Sequence, residues 1–172
     1  IKRLSPHPNI VKLEEVLFDP PSGRLALVFE LLEGNLYELM KDRKKHFGKA
    51  TVKSFVRQIL KSLDHMHKNN VFHRDIKPEN ILIATEDSDQ PGKLNLKLTD
   101  FGFAVFYQPE VSLKQVLGSP LYMAPEIIKN ETYDKSVDIW AVGVITHILI
   151  SGKPPFDGKT KPDISRAIVS DI

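Results

Sequence analysis

Four side chains suited to chemistry on a charged reactant lie in two short segments of the chain. The segment His73–Asn80 reads His-Arg-Asp-Ile-Lys-Pro-Glu-Asn and contains Asp75, Lys77 and Asn80. An Asp-Phe-Gly tripeptide begins at Asp100 and supplies a second carboxylate. A carboxylate can accept a proton or bind a metal ion, and a lysine can balance negative charge on a reactant. These types and spacings favour a site for a metal ion and an anionic reactant.

The elements that must position these side chains are indicated by hydrophobic periodicity. Between Lys49 and Lys68 the apolar residues recur at three- and four-residue steps, which predicts one amphipathic helix that ends at Asn69-Asn70. Short strands are predicted at 71–72, 81–83 and 94–98, with a solvated hairpin loop at 85–93 joining the last two. The first reactive segment therefore lies in a loop between two strands, and the second follows a strand.

Three further elements are predicted outside this region. Two apolar runs, 13–18 and 25–30, flank a Pro- and Gly-containing turn and predict an antiparallel strand pair. A helix beginning at Asp134 or Lys135 is apolar almost all round over 139–150, which predicts a buried helix because the run is too short to span a membrane. A last helix is predicted to begin near Pro162.

The composition of the chain excludes several classes of function. Its 172 residues are 41% hydrophobic and 27% charged, which is typical of a globular domain or a large piece of one. The net charge of +2 gives no reason to expect nucleic acid or an anionic membrane as the main partner. The absence of cysteine excludes disulfides, thiolate zinc sites and cysteine nucleophiles, and it fits a reducing compartment.

The motifs, taken in order, resemble the signature of eukaryotic protein kinases. The segment His73–Asn80 is followed by Asp-Phe-Gly at Asp100 and by Ala-Pro-Glu at Ala124. The resemblance implies an α+β, protein kinase-like fold that is incomplete, with two N-lobe strands and a mainly α-helical C-lobe. We expect residues 1–32 to be a remnant of the N-lobe and hinge, and residues 33–172 to be a C-lobe truncated in its last helices.

The resemblance implies a role for each reactive side chain. Asp75 is expected to accept the proton of the attacking hydroxyl or to orient that hydroxyl, and Lys77 to neutralise the γ-phosphate of ATP. Asn80 and Asp100 are expected to bind Mg²⁺. Ser119 lies in a loop that resembles the substrate pocket, and we expect it to form hydrogen bonds with Asp75 and Lys77.

The resemblance also implies an ATP-binding hinge. The Glu30 carbonyl and the Leu32 N–H are expected to form hydrogen bonds with adenine, next to Phe29 as the gatekeeper residue. Leu82 is expected to lie under the adenine ring and Asn35 near the ribose. An ordinary strand with one apolar face would carry the same leucine and valine residues, so this part of the resemblance is less specific than the motifs.

Three structural contacts are also expected from the resemblance. The ring of His73 is expected to lie against Phe101, and the carboxylate of Asp138 to bind the backbone of the catalytic loop. Arg74 usually pairs with a phosphate or an acidic group in such domains, but Gln115 occupies the position of that partner. We therefore predict that activation does not depend on a phosphate at this position.

The subfamily signal is split along the chain. Lys-Pro-Glu-Asn at Lys77 is typical of serine/threonine kinases. The first half resembles the kinases related to male germ cell-associated kinase, and the second half resembles calcium/calmodulin- or calcium-dependent kinases, which we favour. No calmodulin-binding helix or EF-hand is recognisable in the sequence, so we expect any calcium control to reside in regulatory domains outside this chain. The expected location is cytoplasmic, with the nucleus as the alternative.

Two classes of function stay open from the sequence. The parent protein is expected to be a serine/threonine protein kinase that uses ATP and Mg²⁺; the alternative is an inactive binding or scaffold protein. A small-molecule phosphotransferase shares some of these groups but lacks the Ala-Pro-Glu segment. Because no Gly-x-Gly-x-x-Gly occurs in the sequence, we expect negligible phosphotransfer from the 172-residue chain alone.

Overall fold

The α+β arrangement expected from the sequence is present in a computed structural model, which describes residues 2–41, 43, 45–84, 94–108 and 113–170. The predicted hairpin loop at 85–93 and Ser112 lie outside these residues. The strands are β1 (Leu13–Asp19), β2 (Arg24–Phe29), β3 (Gly34–Asn35), β4 (Val71–Phe72), β5 (Ile81–Ala84), β6 (Asn95–Leu98) and β7 (Val105–Phe106). The α-helices are α1 (Leu36–Lys41), α2 (Lys49–Lys68), α3 (Pro125–Ile128), α4 (Ser136–Ser151) and α5 (Lys161–Ser170).

The predicted strand pair at the start of the chain is β1 paired antiparallel with β2. No residue of either strand is buried, and large apolar side chains are exposed on both faces. Because alternate residues of a strand face opposite sides, the cross-strand pairs Val16–Leu27 and Leu17–Ala26 lie on opposite faces of this two-stranded sheet. The hairpin is therefore held mainly by contacts between its own two strands.

A three-stranded antiparallel sheet lies beside the catalytic-loop segment, in the order β3-β5-β6. The Leu98 N–H at the end of β6 donates to the Asn9 carbonyl, and the Val11 N–H donates to the Leu98 carbonyl, both at 2.9 Å. These bonds extend the sheet by a parallel bridge between Ile10 and Leu98. A separate two-stranded antiparallel sheet joins β4 to β7.

Helix α2 has the bounds that its periodicity predicts. Its apolar face is buried and consists mainly of Val52, Phe55, Ile59, Leu63 and Met66. The helix ends at Lys68 with Asn69 as its C-cap, and Asn70 adopts a φ of 56°, a left-handed conformation that asparagine tolerates better than most residues. The buried face of α2 lies in the main core together with residues of α4, β5 and β6.

Helix α4 is central, as its uniform apolar composition predicts. The side chains of Ile145 and Leu149 are 0% and 2% exposed, whereas Ile139 and Ile150 near the two ends are half exposed. The helix begins at Ser136 and ends before Gly152, which adopts a φ of 72°. Among the described residues, no helix is long and apolar enough to cross a membrane.

The elements that periodicity does not predict are short. Helix α1 has six residues and α3 has four, and β3 and β7 have two residues each. A segment of that length does not repeat its apolar pattern, so its conformation depends on local capping and on long-range pairing.

Candidate active site

The loop that carries the reactive side chains is anchored to α4 through Asp138, as expected. This carboxylate is 1% exposed and accepts the N–H groups of His73 at 3.0 Å and Arg74 at 2.8 Å. Its Oδ2 also lies 2.8 Å from Nε2 of His67 at the end of α2. Arg74 has a φ of 67°, a conformation that is costly for a residue with a side chain, and Asp138 holds it there.

The ring of His73 is buried and fully hydrogen bonded. Its Nδ1 accepts the Asp75 N–H at 3.3 Å, so Nε2 carries the proton and donates to the Thr99 carbonyl at 2.9 Å. Burial lowers the pKa of His73, and the nearby carboxylate of Asp138 only partly opposes this effect. The expected contact with Phe101 is present, with 5.4 Å between the ring centroids.

Asp75, Lys77 and Asn80 are brought together in one cluster. Asp75 is 4% exposed, and its Oδ2 accepts from Lys77 Nζ at 2.6 Å and from Asn80 Nδ2 at 3.1 Å. Asn80 Nδ2 also donates to the Asp75 carbonyl at 2.9 Å. A 3₁₀ turn over Pro78–Asn80 folds the amide back onto the carboxylate. The cluster therefore presents a carboxylate whose direction is fixed beside a lysine.

Asp100 lies next to this cluster through the backbone. The Thr99 N–H donates to the Asn80 carbonyl at 3.0 Å, which places the end of β6 beside the 3₁₀ turn. Asp100 is exposed, has a φ of 60°, and accepts the Gly102 N–H on Oδ1 at 3.2 Å.

The oxygens left free at Asn80 and Asp100 fit a divalent metal ion. Asn80 uses only its amide nitrogen within the cluster, so its Oδ1 can bind a cation, as can Oδ2 of Asp100. Within the described ranges, no group of three or more His, Cys, Asp or Glu side chains could hold a metal. A metal bound by this pair would therefore need further oxygens from its reactant or from water.

Ser119 does not form the hydrogen bonds expected for it. Its backbone is extended, and its hydroxyl has no hydrogen bond to Asp75, Lys77 or any other described residue. Lys77 and Asn80 both donate to Oδ2 of Asp75, and no described residue donates to Oδ1. Ser119 nevertheless lines the same small cavity as Asp75 and Gly118.

At the expected hinge, the side chain of Glu30 is hydrogen bonded to neighbouring residues, whereas the backbone groups expected to contact adenine are free to bind a ligand. Both carboxylate oxygens lie 2.8 Å from Lys97 Nζ, and Oε1 also accepts the Lys12 N–H at 2.7 Å. Within the part of the chain that the structure describes, neither the Glu30 carbonyl nor the Leu32 N–H has a hydrogen-bond partner. Both groups can therefore bind a ligand.

The remaining residues expected to contact the nucleotide surround this hinge. Asn35 caps α1: its Oδ1 accepts the Glu38 N–H at 2.9 Å, and its own N–H donates to the Glu38 carboxylate at 3.2 Å. The amide nitrogen of Asn35 has no partner among the described residues and can donate to a ribose. Leu82 is half-buried in β5, paired with Asn35, and Phe29 ends β2 with 37% of its surface exposed.

Arg74 is hydrogen bonded to uncharged partners, including Gln115, the residue at the position of the usual phosphate or acidic group. Its Nη1 donates to Oε1 of Gln115 at 3.1 Å and to the Tyr133 hydroxyl at 3.3 Å, and its Nε donates to the Phe103 carbonyl at 2.7 Å. The Tyr133 hydroxyl in turn donates to the Gln115 carbonyl at 3.0 Å. The activation segment is thus joined to the catalytic loop without a phosphate.

Sequence reasoning missed three residues that support the site, namely His67, Lys97 and Tyr133. Each acts on a partner 18 to 71 residues away along the chain, such as His67 on Asp138. Periodicity reports only which face a residue occupies, so it carries no signal for such pairs.

Comparison with known proteins assigns the whole chain to one family. The model of the protein kinase domain family matches residues 1–172. Calcium-dependent protein kinase 5 of Plasmodium berghei (strain Anka) is 43% identical over 164 residues, which cover 94% of this chain and 28% of that protein. Calcium/calmodulin-dependent protein kinase type IV of Mus musculus is 42% identical over 155 residues, with 90% and 31% covered. MAPK/MAK/MRK overlapping kinase of Mus musculus is 38% identical over 164 residues, with 95% and 37% covered. The chain thus spans well under half the length of these relatives.

Proposed function

The chain belongs to the protein kinase domain family, and from this premise we propose that the protein containing it transfers the γ-phosphate of ATP to serine or threonine hydroxyls of protein substrates. The observation that carries the proposal is the cluster of Asp75, Lys77 and Asn80. A lysine nitrogen 2.6 Å from a nearly buried carboxylate, with an amide holding the same oxygen, is an arrangement suited to phosphoryl transfer.

Each side chain of the cluster has a distinct task in this proposal. Asp75 orients the substrate hydroxyl and accepts its proton, because one of its oxygens remains free of described donors. Lys77 balances the charge that develops on the phosphoryl group. Asn80 fixes the direction of the Asp75 carboxylate by donating to its Oδ2, and His73 Nδ1 accepts the Asp75 N–H.

We further propose that the divalent metal associated with this family is Mg²⁺ here and that Asn80 and Asp100 hold it. The ligands available are a carboxylate and an amide oxygen, which favour a hard cation over zinc or copper. The metal, when bound, supplies charge neutralisation for the phosphates. A titration of the metal-stripped protein with Mg²⁺, Mn²⁺ and Zn²⁺ tests this, since Zn²⁺ as the preferred ion would contradict the proposed ligand set.

The phosphotransfer proposal is tested with the full-length protein and γ-labelled ATP. Wild-type protein should label Ser- or Thr-containing peptides and leave their Tyr counterparts unlabelled. Asp75→Asn should reduce the rate by about 100-fold or more because the proton acceptor is lost. Asp64→Asn is the matched control, since Asp64 is exposed on α2 and pairs only with Lys68. Wild-type protein that binds ATP without labelling any peptide would favour the inactive scaffold.

We propose that activity does not require a phosphate in the activation segment next to Arg74. Gln115 and Tyr133 already accept hydrogen bonds from the Arg74 guanidinium group, so a phosphate there would add little stabilisation of the activation segment. Phosphatase treatment of the active full-length protein should leave its rate unchanged. An essential phosphate on Ser112, found by mass spectrometry of the active protein, would contradict this.

We propose that any calcium control resides in regulatory domains outside residues 1–172 and that the protein is cytoplasmic or nuclear. Two of the relatives are named for dependence on calcium or calmodulin, and the match covers less than a third of each. This supports regulatory domains outside residues 1–172. A cytoplasmic or nuclear location is supported by the absence of cysteine, which fits a reducing compartment.

A further inference from the structure

Helix α2 carries a row of cations on its solvent-exposed side. Lys49, Lys53, Arg57 and Lys61 recur at every fourth position and are all exposed. The described residues provide no hydrogen bond or ion pair for Lys53, Arg57 or Lys61, whereas Lys68 on the same helix pairs with Asp64 at 2.7 Å. Three neighbouring cations on this helix therefore have no ion-pair partner among the described residues, although Asp64 lies close to them.

These three cations line one wall of a cleft. The cleft has a volume of about 510 Å³ and lies between α2, the segment Pro8-Asn9 and the start of β6 at Leu94-Asn95. It includes none of the residues assigned above to phosphoryl transfer or nucleotide binding. A concave, positively charged surface apart from the active site is typical of a site for an anionic partner.

The floor of the cleft is held in place by a network of hydrogen bonds. Asn9 Nδ2 donates to Gln58 Oε1 at 3.0 Å and to the Leu96 carbonyl at 2.9 Å. Gln58 Nε2 donates to the Leu94 carbonyl at 3.1 Å, and its Oε1 accepts the Leu96 N–H at 2.8 Å. The cleft is thus preformed, which lowers the conformational cost of binding.

The spacing of the cations identifies the form of the partner. Four residues of an α-helix rise about 6 Å along its axis, so the three charged positions extend over about 12 Å. Alternate side chains of an extended peptide lie on the same side and repeat at about 6.6 Å. Acidic residues at every second position of an extended peptide would therefore each face one of Lys53, Arg57 and Lys61.

We propose that this cleft binds an extended acidic segment of a partner protein, with Asp or Glu at alternate positions. A peptide fits better than a lipid surface because the cations lie beside a preformed floor made by Asn9, Gln58 and the backbone of Leu94, which a narrow chain can reach. The cleft is a docking surface that recruits a substrate or a regulator independently of the residues that transfer the phosphate.

The test measures binding of a fluorescein-labelled peptide, Thr-Glu-Thr-Glu-Thr-Glu-Thr, to the full-length protein by fluorescence anisotropy. Binding should be saturable at low salt and weaken strongly between about 0.05 and 0.5 M NaCl because ions screen exposed charges. The triple variant Lys53→Glu, Arg57→Glu and Lys61→Glu should bind at least about tenfold more weakly. Ala50→Trp, which fills the cleft without changing its charge, should also weaken binding.

The matched control carries Lys129→Glu, Lys135→Glu and Lys159→Glu, which change the net charge equally at exposed positions outside the cleft. This control should bind the peptide within about twofold of wild type because the cleft is intact. Equal weakening in both triple variants, or undiminished binding by Ala50→Trp, would overturn the cleft as the site. Absence of peptide binding would overturn it too, as would binding of phosphatidylserine vesicles, and not of the peptide, that depends on Lys53, Arg57 and Lys61.

Discussion

The carboxylate of Glu30 joins three segments that are distant in sequence. It binds the ammonium group of Lys97 through both oxygens and the backbone N–H of Lys12 through one. The side chains of Glu30 and Lys97 are 22% and 15% exposed, so water screens this pair far less than a surface ion pair. The pair therefore fixes the hinge against β6, the strand that leads into Asp100.

Replacing Lys97 should destabilise the fold and weaken ATP binding. Lys97→Met leaves the Glu30 carboxylate partly buried without its cation, which we expect to cost about 1–3 kcal/mol in the free energy of unfolding. Urea denaturation measures this loss. Titration of the variant with ATP should give a higher Kd than wild type, because the hinge is no longer fixed against β6. Lys12→Met is the control, because Lys12 pairs with Glu14 at exposed positions and should change the urea midpoint less. Equal effects of the two substitutions would contradict the assigned role.

Acidification should destabilise the protein through His73. Burial lowers the pKa of this imidazole below its ordinary value of 6.5, although Asp138, Asp75 and Asp100 favour the charged form. The unfolded chain takes up a proton near pH 6.5 and the folded chain does not, so stability is full above that pH and falls below it. We expect the free energy of unfolding to fall by up to about 1.4 kcal/mol for each pH unit below 6.5, as measured by urea denaturation between pH 7.5 and 5.

The variant His73→Phe separates this effect from general acid sensitivity. It should be less stable at pH 7.5, because the hydrogen bond to the Thr99 carbonyl is lost, but its stability should depend less on pH. The pKa of His7 is also lowered by burial and by the neighbouring His65 and Lys61, so a residual slope of the same sign should remain. An unchanged slope in the variant would show that His73 does not titrate differently in the two states.

For individual residues, the sequence predicted the reactive side chains well, but it predicted the residues that contact them less well. The position of Gln115 relative to Ser119 indicated that it stands where Arg74 usually meets a phosphate or an acidic group, and the structure adds a hydrogen bond between the two side chains that was not predicted. Lys97 was not predicted, since a lysine that alternates with leucines in a strand is typical of any solvated edge. The hydrogen bonds expected from Ser119 to Asp75 and Lys77 are not formed, whereas Lys77 and Asn80 both donate to Asp75, because the sequence motif does not define the distance between the Ser119 hydroxyl and that carboxylate.

Helix α4 contributes to the site through its first turn. Asp138 enters an otherwise apolar helix and accepts two backbone N–H groups of the catalytic loop, one of them from Arg74 in a left-handed conformation. The two N–H donors offset the cost of burying this carboxylate. Removing it would leave both N–H groups buried without an acceptor. The helix and the loop therefore behave as one unit.

The variant Asp138→Asn should uncouple the loop from α4. An amide has one acceptor oxygen in place of two and directs N–H groups at donors, so we expect a loss of about 3 kcal/mol in the free energy of unfolding. Phosphotransfer by the full-length protein should fall as well. Asp134→Asn is the matched control just before the start of the same helix, where the exposed side chain accepts hydrogen bonds from Ser136, and it should cost less than about 1 kcal/mol. Similar losses in both variants would refute the anchoring role.

Helices and strands long enough to repeat their apolar pattern could be predicted from the sequence. Short elements that depend on one capping or pairing contact could not. The bounds of α2 follow from its apolar stripe and its terminal asparagines, and those of α4 from its uniform apolar composition and Gly152. Helix α1 depends on the cap formed by Asn35 and Glu38, and β7 depends on pairing with β4 across more than thirty residues. Such elements require the tertiary structure before they become recognisable.

At the scale of the whole molecule, stability is distributed unevenly. The main core joins α2, α4, β5 and β6 through fully buried side chains such as Met66 and Ile145. The β1–β2 hairpin adds no residue to that core, and its most exposed large apolar side chains, Phe18 and Leu25, are 60% and 62% exposed. A segment held by few buried contacts opens at a lower free energy than the core.

Hydrogen exchange followed by mass spectrometry should resolve these two parts in the 172-residue chain. Amides of β1 and β2 should exchange at least about 100-fold faster than those in the middle of α2 and α4, because they open without breaking the core. Ile145→Ala removes a fully buried side chain, costs about 2–5 kcal/mol, and should speed exchange in both helices while leaving the hairpin unchanged. Leu25→Ala, at an exposed position, should alter exchange only in the hairpin. If either variant changes the exchange rates of the hairpin and of the two helices equally, the chain unfolds as one cooperative unit. In that case the hairpin is coupled to the core through the pairing of Ile10 with Leu98 and the contact of Glu30 with Lys97.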